Sequence, residues 1–396
     1  MIINKIHLWQ EETQTIDGFA KSSITLEYPN NQRQTLWYRL PIKYQEYLTD
    51  SCDPFVIATI FLAMSRGHDL IIHGQVSPSL LDNLEEFQAV WSSWRSNIYR
   101  RISINANIER EQERIVEKEI AISAFSGGVD SCFTAYRHVK GMCGRRKRNL
   151  QASLMIHGFD IPIQEEDVFK RAFLRSQKMT SSLDLELISV ATNFRQVIKL
   201  PWEDIFGTGI ASCLHLFSKR YAIGLIPASY TYRTTTFPYG SNAITDPLLS
   251  SEACKIFYDG AIASRFEKIQ QLLDWPEAVE NFRVCWQGEQ KDRNCCRCEK
   301  CIRNILIFRA LDYGLPPCFQ EDVSDRQILN LRVKGGGLDA LKSVGRAVKI
   351  VNKQESWVKA LNQSIRRNQI LAFLEKFVPS KWKKLLVTIK YRFYNR

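Results

Sequence analysis

Residues 126 to 131 carry the strongest chemical signal in this 396-residue chain, with the sequence Ser-Gly-Gly-Val-Asp-Ser. They follow a short apolar run, residues 121–125, and precede a segment with helical character. Two glycines let a backbone turn tightly and approach a ligand, and the N–H groups at the start of the next helix suit an anion. The pattern predicts a phosphate site, in which Ser126 and Ser131 add hydroxyl donors and Asp130 orients the loop or holds magnesium.

This loop differs from two other glycine-rich phosphate loops. It lacks the Gly-Lys-Ser/Thr ending of a Walker loop, and it lacks the three spaced glycines of a dinucleotide-binding loop. The alternative interpretation is a serine–glycine turn between a strand and a helix, with no ligand.

Cysteine spacing indicates a second site. Five of the eleven cysteines lie within residues 285–301, and four of them form a C-x9-C-x2-C-x2-C array of Cys285, Cys295, Cys298 and Cys301. Four thiolates match the tetrahedral shell of a structural zinc ion. Cys296 interrupts the array as a bystander or a competing ligand. An iron–sulfur cluster and a metal-free reduced loop are the alternatives.

Polar residues near predicted strand ends are further candidates, because ligands of open α/β sheets bind beyond the carboxyl ends of the strands. His157 and Gly158 follow one predicted strand and are expected to contact the same ligand as the loop. Asp246 lies in the polar segment 239–247 and is expected to hold magnesium or a substrate amine; the alternative is a surface turn.

Two basic residues are spaced to act together. Arg265 and Lys268 are three residues apart on a predicted helix, so they share one face. They are positioned to neutralise phosphate charge during bond cleavage. The alternative is an ordinary solvated helix face.

Strand and helix patterns alternate from residue 120 to about 315. Such alternation predicts an α/β fold, a doubly wound parallel sheet with helices on both faces. We predict three regions: an α+β N-terminal domain over residues 1–118, a ligand-binding domain with the four-cysteine zinc module over residues 119–315, and a basic helical region over residues 316–396.

The positive charge of the chain is confined to its end. The net charge is +12, but residues 326–396 contain 17 Lys or Arg against three acidic residues, a net +14. The rest of the chain is therefore nearly neutral, with a net charge of about −2. The sequence contains no run of 18 apolar residues and no signal-peptide pattern. We therefore expect a cytoplasmic protein, whose contact with a membrane would be peripheral.

The loop at residues 126–131 and the cysteine array together resemble those of the PP-loop ATP pyrophosphatase superfamily, and within it those of the 7-cyano-7-deazaguanine synthase-like branch. The resemblance covers about residues 120 to 310 and implies an adenine nucleotide alpha hydrolase-like fold. It implies that Ser126, Gly127, Gly128, Val129, Asp130 and Ser131 bind ATP phosphates and that the four cysteines bind zinc. About 120 residues before the loop and a basic tail after the cysteines depart from the family's pattern.

The resemblance also implies a reaction. The expected activity is ATP-dependent adenylation, which converts ATP and magnesium to AMP and pyrophosphate and activates a carboxylate or amide-like oxygen for attack by ammonia or an amine. Asp130, Ser131, Lys268 and Asp246 are the expected catalytic residues. The substrate is expected to be a small-molecule or peptide carboxylate.

Two other functions remain open from the sequence. A PP-loop tRNA-modifying enzyme, of the thiolase or lysidine-synthase type, would use the basic tail to grip tRNA phosphates. A non-catalytic nucleotide sensor would retain the loop to bind a nucleotide without catalysing a reaction. The tail also interleaves aromatic and basic residues after residue 373, a composition that suits an anionic membrane surface as well as a packed helix.

Overall fold

One mixed β-sheet organises the larger part of the chain. The computed structural model describes residues 4–115, 119–350 and 353–374, and within them eleven strands join in a single sheet. The strands are β1 (Lys5–Gln10), β2 (Gln14–Ile16), β3 (Phe19–Glu27), β4 (Arg33–Pro41), β5 (Asp69–Val76), β6 (Ile104–Glu109), β7 (Ile120–Ala124), β8 (Asn149–His157), β9 (Glu186–Thr192), β10 (Ile223–Pro227) and β11 (Lys255–Asp259).

The half of this sheet that ends at β11 is parallel throughout. Its five strands run in the order β11-β10-β7-β8-β9, and every neighbouring pair among them is parallel. Among these five strands, β7 comes first in the sequence and lies in the middle. Strands β8 and β9 follow on one side of it, and β10 and β11 follow on the other side. The strand order therefore reverses between β7 and β10, so the loop after β7 leaves the sheet at the reversal.

The remaining strands extend the sheet beyond β9. Strand β4 pairs with β9 in antiparallel register, with Tyr38 opposite Thr192, and the order continues as β3, β1, β5 and β6, while β2 pairs with β3. Asn193 reinforces the junction, because its side chain donates to the carbonyl of Thr35 at 2.8 Å and accepts from the N–H of Trp37 at 3.0 Å. The N-terminal strands and the parallel strands are thus one sheet.

Besides three short 3-10 helices, the described residues also form twelve α-helices. They are α1 (Asp53–Arg66), α2 (Pro78–Trp94), α3 (Val129–Val139), α4 (Glu166–Ser181), α5 (Phe194–Val197), α6 (Trp202–His215), α7 (Arg265–Leu272), α8 (Pro276–Asn281), α9 (Glu299–Ala310), α10 (Asp325–Asn330), α11 (Gly336–Ile350) and α12 (Ser356–Leu374). Within the described ranges, no helix has both the length and the apolar composition needed to cross a lipid bilayer.

The start of α1 differs in detail from the sequence-based expectation. The Asp53-Pro54 pair predicts a helix capped by Asp53, but Cys52 occupies the cap position and Asp53 is the first helical residue. The Asp53 carboxylate instead accepts from the hydroxyl of Ser51 at 2.7 Å and the N–H of Ser77 at 2.8 Å. It therefore fastens the start of α1 to the residue that precedes α2.

The chain divides into two compact units, residues 1–295 and 296–396. The predicted boundary after residue 118 falls inside the first unit, where one apolar core includes residues from Ile6 to Ile256. The predicted boundary after residue 315 falls inside the second unit, in whose described part helix α11 packs on both α9 and α12. Most of the aromatic and basic tail, residues 375–396, lies outside the described residues.

Candidate functional site

The loop after β7 makes a tight connection to α3. Gly127 has φ +74°, a conformation that side chains disfavour, and a Cβ there would lie 3.0 Å from the Ser176 hydroxyl of α4. Gly128 is extended and precedes the first helical residue, Val129, which is buried. The backbone N–H groups at the start of α3 thus follow directly on the end of the central strand, as the sequence predicts.

The two serines of the loop have different roles in the structure. The Ser131 hydroxyl donates to the carbonyl of Gly128 at 2.9 Å and accepts from the N–H of Ser126 at 3.2 Å. It is buried and holds the shape of the loop. Ser126 is exposed, and its hydroxyl accepts weakly from the N–H of Gly128 at 3.4 Å. Of the two hydroxyls predicted to meet a phosphate, that of Ser126 faces solvent.

Asp130 joins the loop to two cations of α7. One carboxylate oxygen lies 2.9 Å from Lys268 Nζ and the other 2.5 Å from Arg265 Nη2. The sequence predicts that Arg265 and Lys268 share a face, and the structure brings both to one carboxylate, which is 135 and 138 residues away from them in the chain. The alternative of a solvated helix face is wrong for Lys268, whose side chain is 2% exposed.

The Lys268 ammonium is positioned by backbone as well as by charge. Its Nζ donates to the carbonyl of Ala228, the residue after β10, at 2.6 Å. Burial lowers the pKa of Lys268, while the Asp130 carboxylate beside it opposes that shift. The cation therefore lies where β7 and β10 end, at the reversal of strand order.

Helix α7 and helix α3 are each fixed by side-chain hydrogen bonds. Ser264 and Glu267 form a reciprocal capping box at the start of α7, which sets the position of Arg265 and Lys268. Asp259, the last residue of β11, accepts from Thr134 at 2.9 Å and lies 3.2 Å from His138 Nε2, both on α3. The carboxylate thereby ties α3 to the edge strand of the parallel half.

His157 and Gly158, the predicted ligand contacts after β8, both have structural partners. The Nε2 atom of the buried His157 lies 2.9 Å from the carbonyl oxygen of Pro162. Its ring stacks on that of Phe169, with 4.4 Å between the ring centres, and burial lowers the pKa of His157. Gly158 has φ +105°, and a Cβ there would lie 2.1 Å from the carbonyl oxygen of Thr192 on β9. Close packing of β8 against β9 explains this glycine, so a ligand is not needed to account for it.

The crowding at Gly158 predicts a large loss of stability for Gly158→Ala. We expect the free energy of unfolding, measured with urea, to fall by at least about 2 kcal/mol, because backbone strain and overlap with backbone atoms add. Gly144→Ala is the matched control, since Gly144 also has positive φ, +54°, but nothing within 4 Å of a Cβ. Equal losses in the two variants would contradict a steric role for Gly158.

Asp246 organises its own loop. Its two carboxylate oxygens accept from the hydroxyl of Ser241 at 2.6 Å and from the N–H of Asn242 at 2.9 Å, and the residue is buried. Burial raises its pKa from 3.8 to about 7, against the effect of both hydrogen bonds. This environment favours a positioning role over the predicted binding of magnesium or an amine, because a divalent cation prefers an ionised carboxylate.

The raised pKa of Asp246 predicts a pH-dependent difference between wild type and Asp246→Asn. Between about pH 4 and pH 7 the native carboxyl holds a proton that the unfolded one releases, so this group's contribution to stability falls as pH rises and levels off above about pH 7. Asparagine imitates the protonated form and does not titrate. We therefore expect the free energy of unfolding of Asp246→Asn, measured with urea and compared with that of wild type, to be relatively higher at pH 8 than at pH 5. A difference between the two proteins that is the same at both pH values would contradict the raised pKa.

The cysteine array closes into one cluster. The sulfur atoms of Cys285, Cys295, Cys298 and Cys301 all lie within 4.8 Å of one another and could hold a metal ion such as zinc. A tetrahedral zinc site with Zn–S bonds of about 2.3 Å needs sulfur atoms about 3.8 Å apart, which this spread accommodates. The N–H of Cys295 points to the sulfur of Cys285 at 3.3 Å, as expected around a thiolate.

Cys296 is outside the group of converging sulfurs. It is buried and has φ +57°, a conformation in which glycine is the easier residue. Among the described residues, four other cysteines already provide the sulfur atoms of one tetrahedral shell. Cys296 therefore fits the interpretation as a bystander better than the interpretation as a competing ligand.

Two contributors to the site were not predicted from the sequence: the carboxylate of Asp259 and the residue Arg283. Asp259 ends β11, whose short run of β-branched and aromatic residues, Ile256-Phe257-Tyr258, could have indicated a strand. Arg283 donates its backbone N–H to the carbonyl of Gly127 at 2.8 Å, so it lies beside the loop. No spacing rule links residues 127 and 283; only the folded chain brings them together.

Comparison with protein-family models, with curated proteins and with solved structures finds no match to this chain.

Proposed function

We propose that the chain is an ATP-dependent adenylating enzyme of the PP-loop type, which cleaves ATP to AMP and pyrophosphate and activates a carboxylate or amide-like oxygen. The observation that carries the proposal is the pairing of the Ser126–Ser131 loop with Lys268 and Arg265 through Asp130. A loop that suits phosphate, with two cations held beside it, matches the needs of phosphoryl chemistry.

The topology supports the same proposal. The parallel strands ordered β11-β10-β7-β8-β9 reverse their order once, and in doubly wound sheets the ligand binds outside the carboxyl ends of the strands at such a reversal. The loop follows β7 and the Ala228 carbonyl follows β10, the two strands on either side of that reversal. We therefore assign the crevice between them to the nucleotide.

In the proposed first step, an oxygen of the substrate carboxylate forms a bond to the α-phosphorus of ATP. The bond from that phosphorus to the bridging oxygen breaks, and its electron pair leaves with pyrophosphate. An amine or ammonia then forms a bond to the acyl carbon, the bond from that carbon to the AMP oxygen breaks, and the nitrogen releases a proton to water. The N–H groups of α3 would hold phosphate oxygens, and Lys268 and Arg265 would offset the charge that develops on the leaving pyrophosphate.

Magnesium has no assigned protein ligand in this proposal. Asp130 already lies against two cations, and Asp246 is engaged by Ser241 and Asn242, so neither residue fits a metal as it stands. A magnesium ion would enter with the nucleotide phosphates. Zinc, where bound by the four cysteines, would fill a closed thiolate shell without an open position, and its role would be structural.

The test is nucleotide turnover by the purified full chain. The protein is incubated with ATP and magnesium, with and without a pool of small carboxylates and ammonium, and products are separated by ion-exchange chromatography. AMP with pyrophosphate in equal amounts, stimulated by a pool member, is the expected result. ADP with inorganic phosphate would overturn the proposal.

The same assay separates the remaining alternatives. Tight ATP binding without turnover under any condition would favour a nucleotide sensor. AMP formation that appears only when tRNA is added would favour a tRNA-modifying enzyme. The rate of this tRNA-dependent AMP formation should then fall steeply with added salt.

A further inference from the structure

Arg283 lies against the loop from the side opposite Lys268. Its backbone N–H donates to the carbonyl of Gly127 at 2.8 Å, and its own carbonyl oxygen would be 3.4 Å from a Cβ on Gly128. Strand β7 has β10 on one side and β8 on the other. Lys268 is bound to the residue after β10, whereas the Arg283 guanidinium reaches Asp160, which follows β8.

The guanidinium of Arg283 is buried but poorly satisfied. Its side chain is 8% exposed, and its Nη atoms make two long contacts, 3.4 Å to Asp160 Oδ2 and 3.4 Å to the carbonyl of Lys291. Its Nε is buried without a hydrogen-bond partner among the described residues. A guanidinium has five N–H donors, and burying one of them unpaired costs free energy.

Other arginines with an unpaired Nε differ in exposure. Arg95 has one too, but its side chain is 34% exposed and ion-paired with Asp204 at 2.9 Å, so water reaches much of its guanidinium. Arg283 combines near-complete burial, unused donors and contact with the glycines of the loop. An anion that binds at this loop would offer acceptors to the Nη donors, which make only two contacts of 3.4 Å.

We propose that Arg283 binds a phosphate oxygen of a polyphosphate that lies across the Ser126–Ser131 loop. In this arrangement Lys268 and Arg265 flank one end of the polyphosphate and Arg283 the other, and Asp160 competes with the ligand for the guanidinium. Because Lys268 and Arg283 are bound beside the ends of β10 and β8, on either side of β7, we expect Arg283 to favour diphosphate and longer chains over a single phosphate. This inference rests on the proposed function, since it assumes a nucleotide at the same loop.

The test is equilibrium binding to the full chain by isothermal titration calorimetry, without turnover. The probes are pyrophosphate, α,β-methylene-ATP and inorganic phosphate. Arg283→Gln should weaken the first two by roughly tenfold to a hundredfold, the range for a lost charge-assisted hydrogen bond, and change the affinity for inorganic phosphate much less. Arg171→Gln is the control: it is ion-paired with Asp292 and half exposed, and it should bind like wild type.

Two further variants keep the test decisive if Arg283→Gln fails to fold. Arg283→Lys keeps the charge but not the planar fork, so it should still lose several-fold in pyrophosphate affinity. Asp160→Asn removes the competing carboxylate and should leave pyrophosphate affinity equal or higher. Unchanged affinity in the folded Arg283 variants, or a large loss in Asp160→Asn, would overturn the role of Arg283.

The failure of this inference is distinct from the failure of the proposed function. If wild type binds pyrophosphate and the methylene analogue and the Arg283 variants bind equally well, only the role of Arg283 falls. If wild type binds neither probe with magnesium present, the nucleotide site itself is wrong, and Arg283 loses its assigned ligand with it.

Discussion

Asp130→Asn should lower the rate of AMP formation from ATP at least roughly 100-fold while the protein stays folded. The carboxylate holds Lys268 at 2.9 Å and Arg265 at 2.5 Å, so its loss leaves two cations without the group that positions them. The Asp130 side chain is itself partly exposed, and Lys268 keeps its hydrogen bond to the carbonyl of Ala228. The expected defect is therefore in turnover, measured as release of AMP and pyrophosphate, with near-native far-ultraviolet circular dichroism.

A control and a second variant separate chemistry from folding. Asp167→Asn changes an exposed aspartate in the first turn of α4 and should leave turnover unchanged, although Asp130 also lies in the first turn of a helix. Lys268→Met removes the buried cation and keeps the volume of the side chain. Combined with Asp130→Asn it leaves no uncompensated buried charge at Lys268, so the double variant should be folded and as inactive as either single variant.

Additive losses in the double variant would show that the two residues act independently. Normal turnover in folded Asp130→Asn would remove the carboxylate from the reaction altogether, and with it the main reason to place ATP at this loop.

Local sequence patterns predict the centre of the site well. The apolar run before the glycines becomes β7, residues 120–124, and α3 begins at Val129 within the predicted loop-to-helix connection. Such patterns work because a buried strand, a glycine turn and a helix start each depend on neighbours within a few residues. The Lys268–Arg265 spacing was informative for the same reason, since one helical turn fixes it.

Long-range packing accounts for what the sequence did not reveal. The antiparallel pairing of β4 with β9 joins strands that are about 150 residues apart, and no short pattern records it. The near-complete burial of Lys268 depends on Ala228 and Asp130, and the position of Arg283 depends on its contact with Gly127. Asp246 looks like a polar loop residue in the sequence, and only its burial indicates that it serves its own loop.

Loss of one cysteine of the array should release the metal and destabilise the region around it. We expect the purified chain to hold about one metal ion, zinc by elemental analysis, because four sulfur atoms within 4.8 Å of one another provide one tetrahedral shell. Cys295→Ser should lower bound zinc several-fold, and protease cleavage within residues 285–301 should become faster, since a structural zinc site can contribute on the order of 10 kcal/mol to local folding.

The neighbouring cysteine supplies the control that makes this result specific. Cys296→Ser changes the adjacent residue, which is buried but lies outside the four-cysteine group, and it should keep its metal and its protease resistance. Iron and sulfide in place of zinc, with visible absorption that disappears in Cys295→Ser but not in Cys296→Ser, would keep the four-cysteine site and replace its metal by a cluster. Equal metal content in both variants would contradict the site itself, because the Cys295 sulfur converges with three others and the Cys296 sulfur does not.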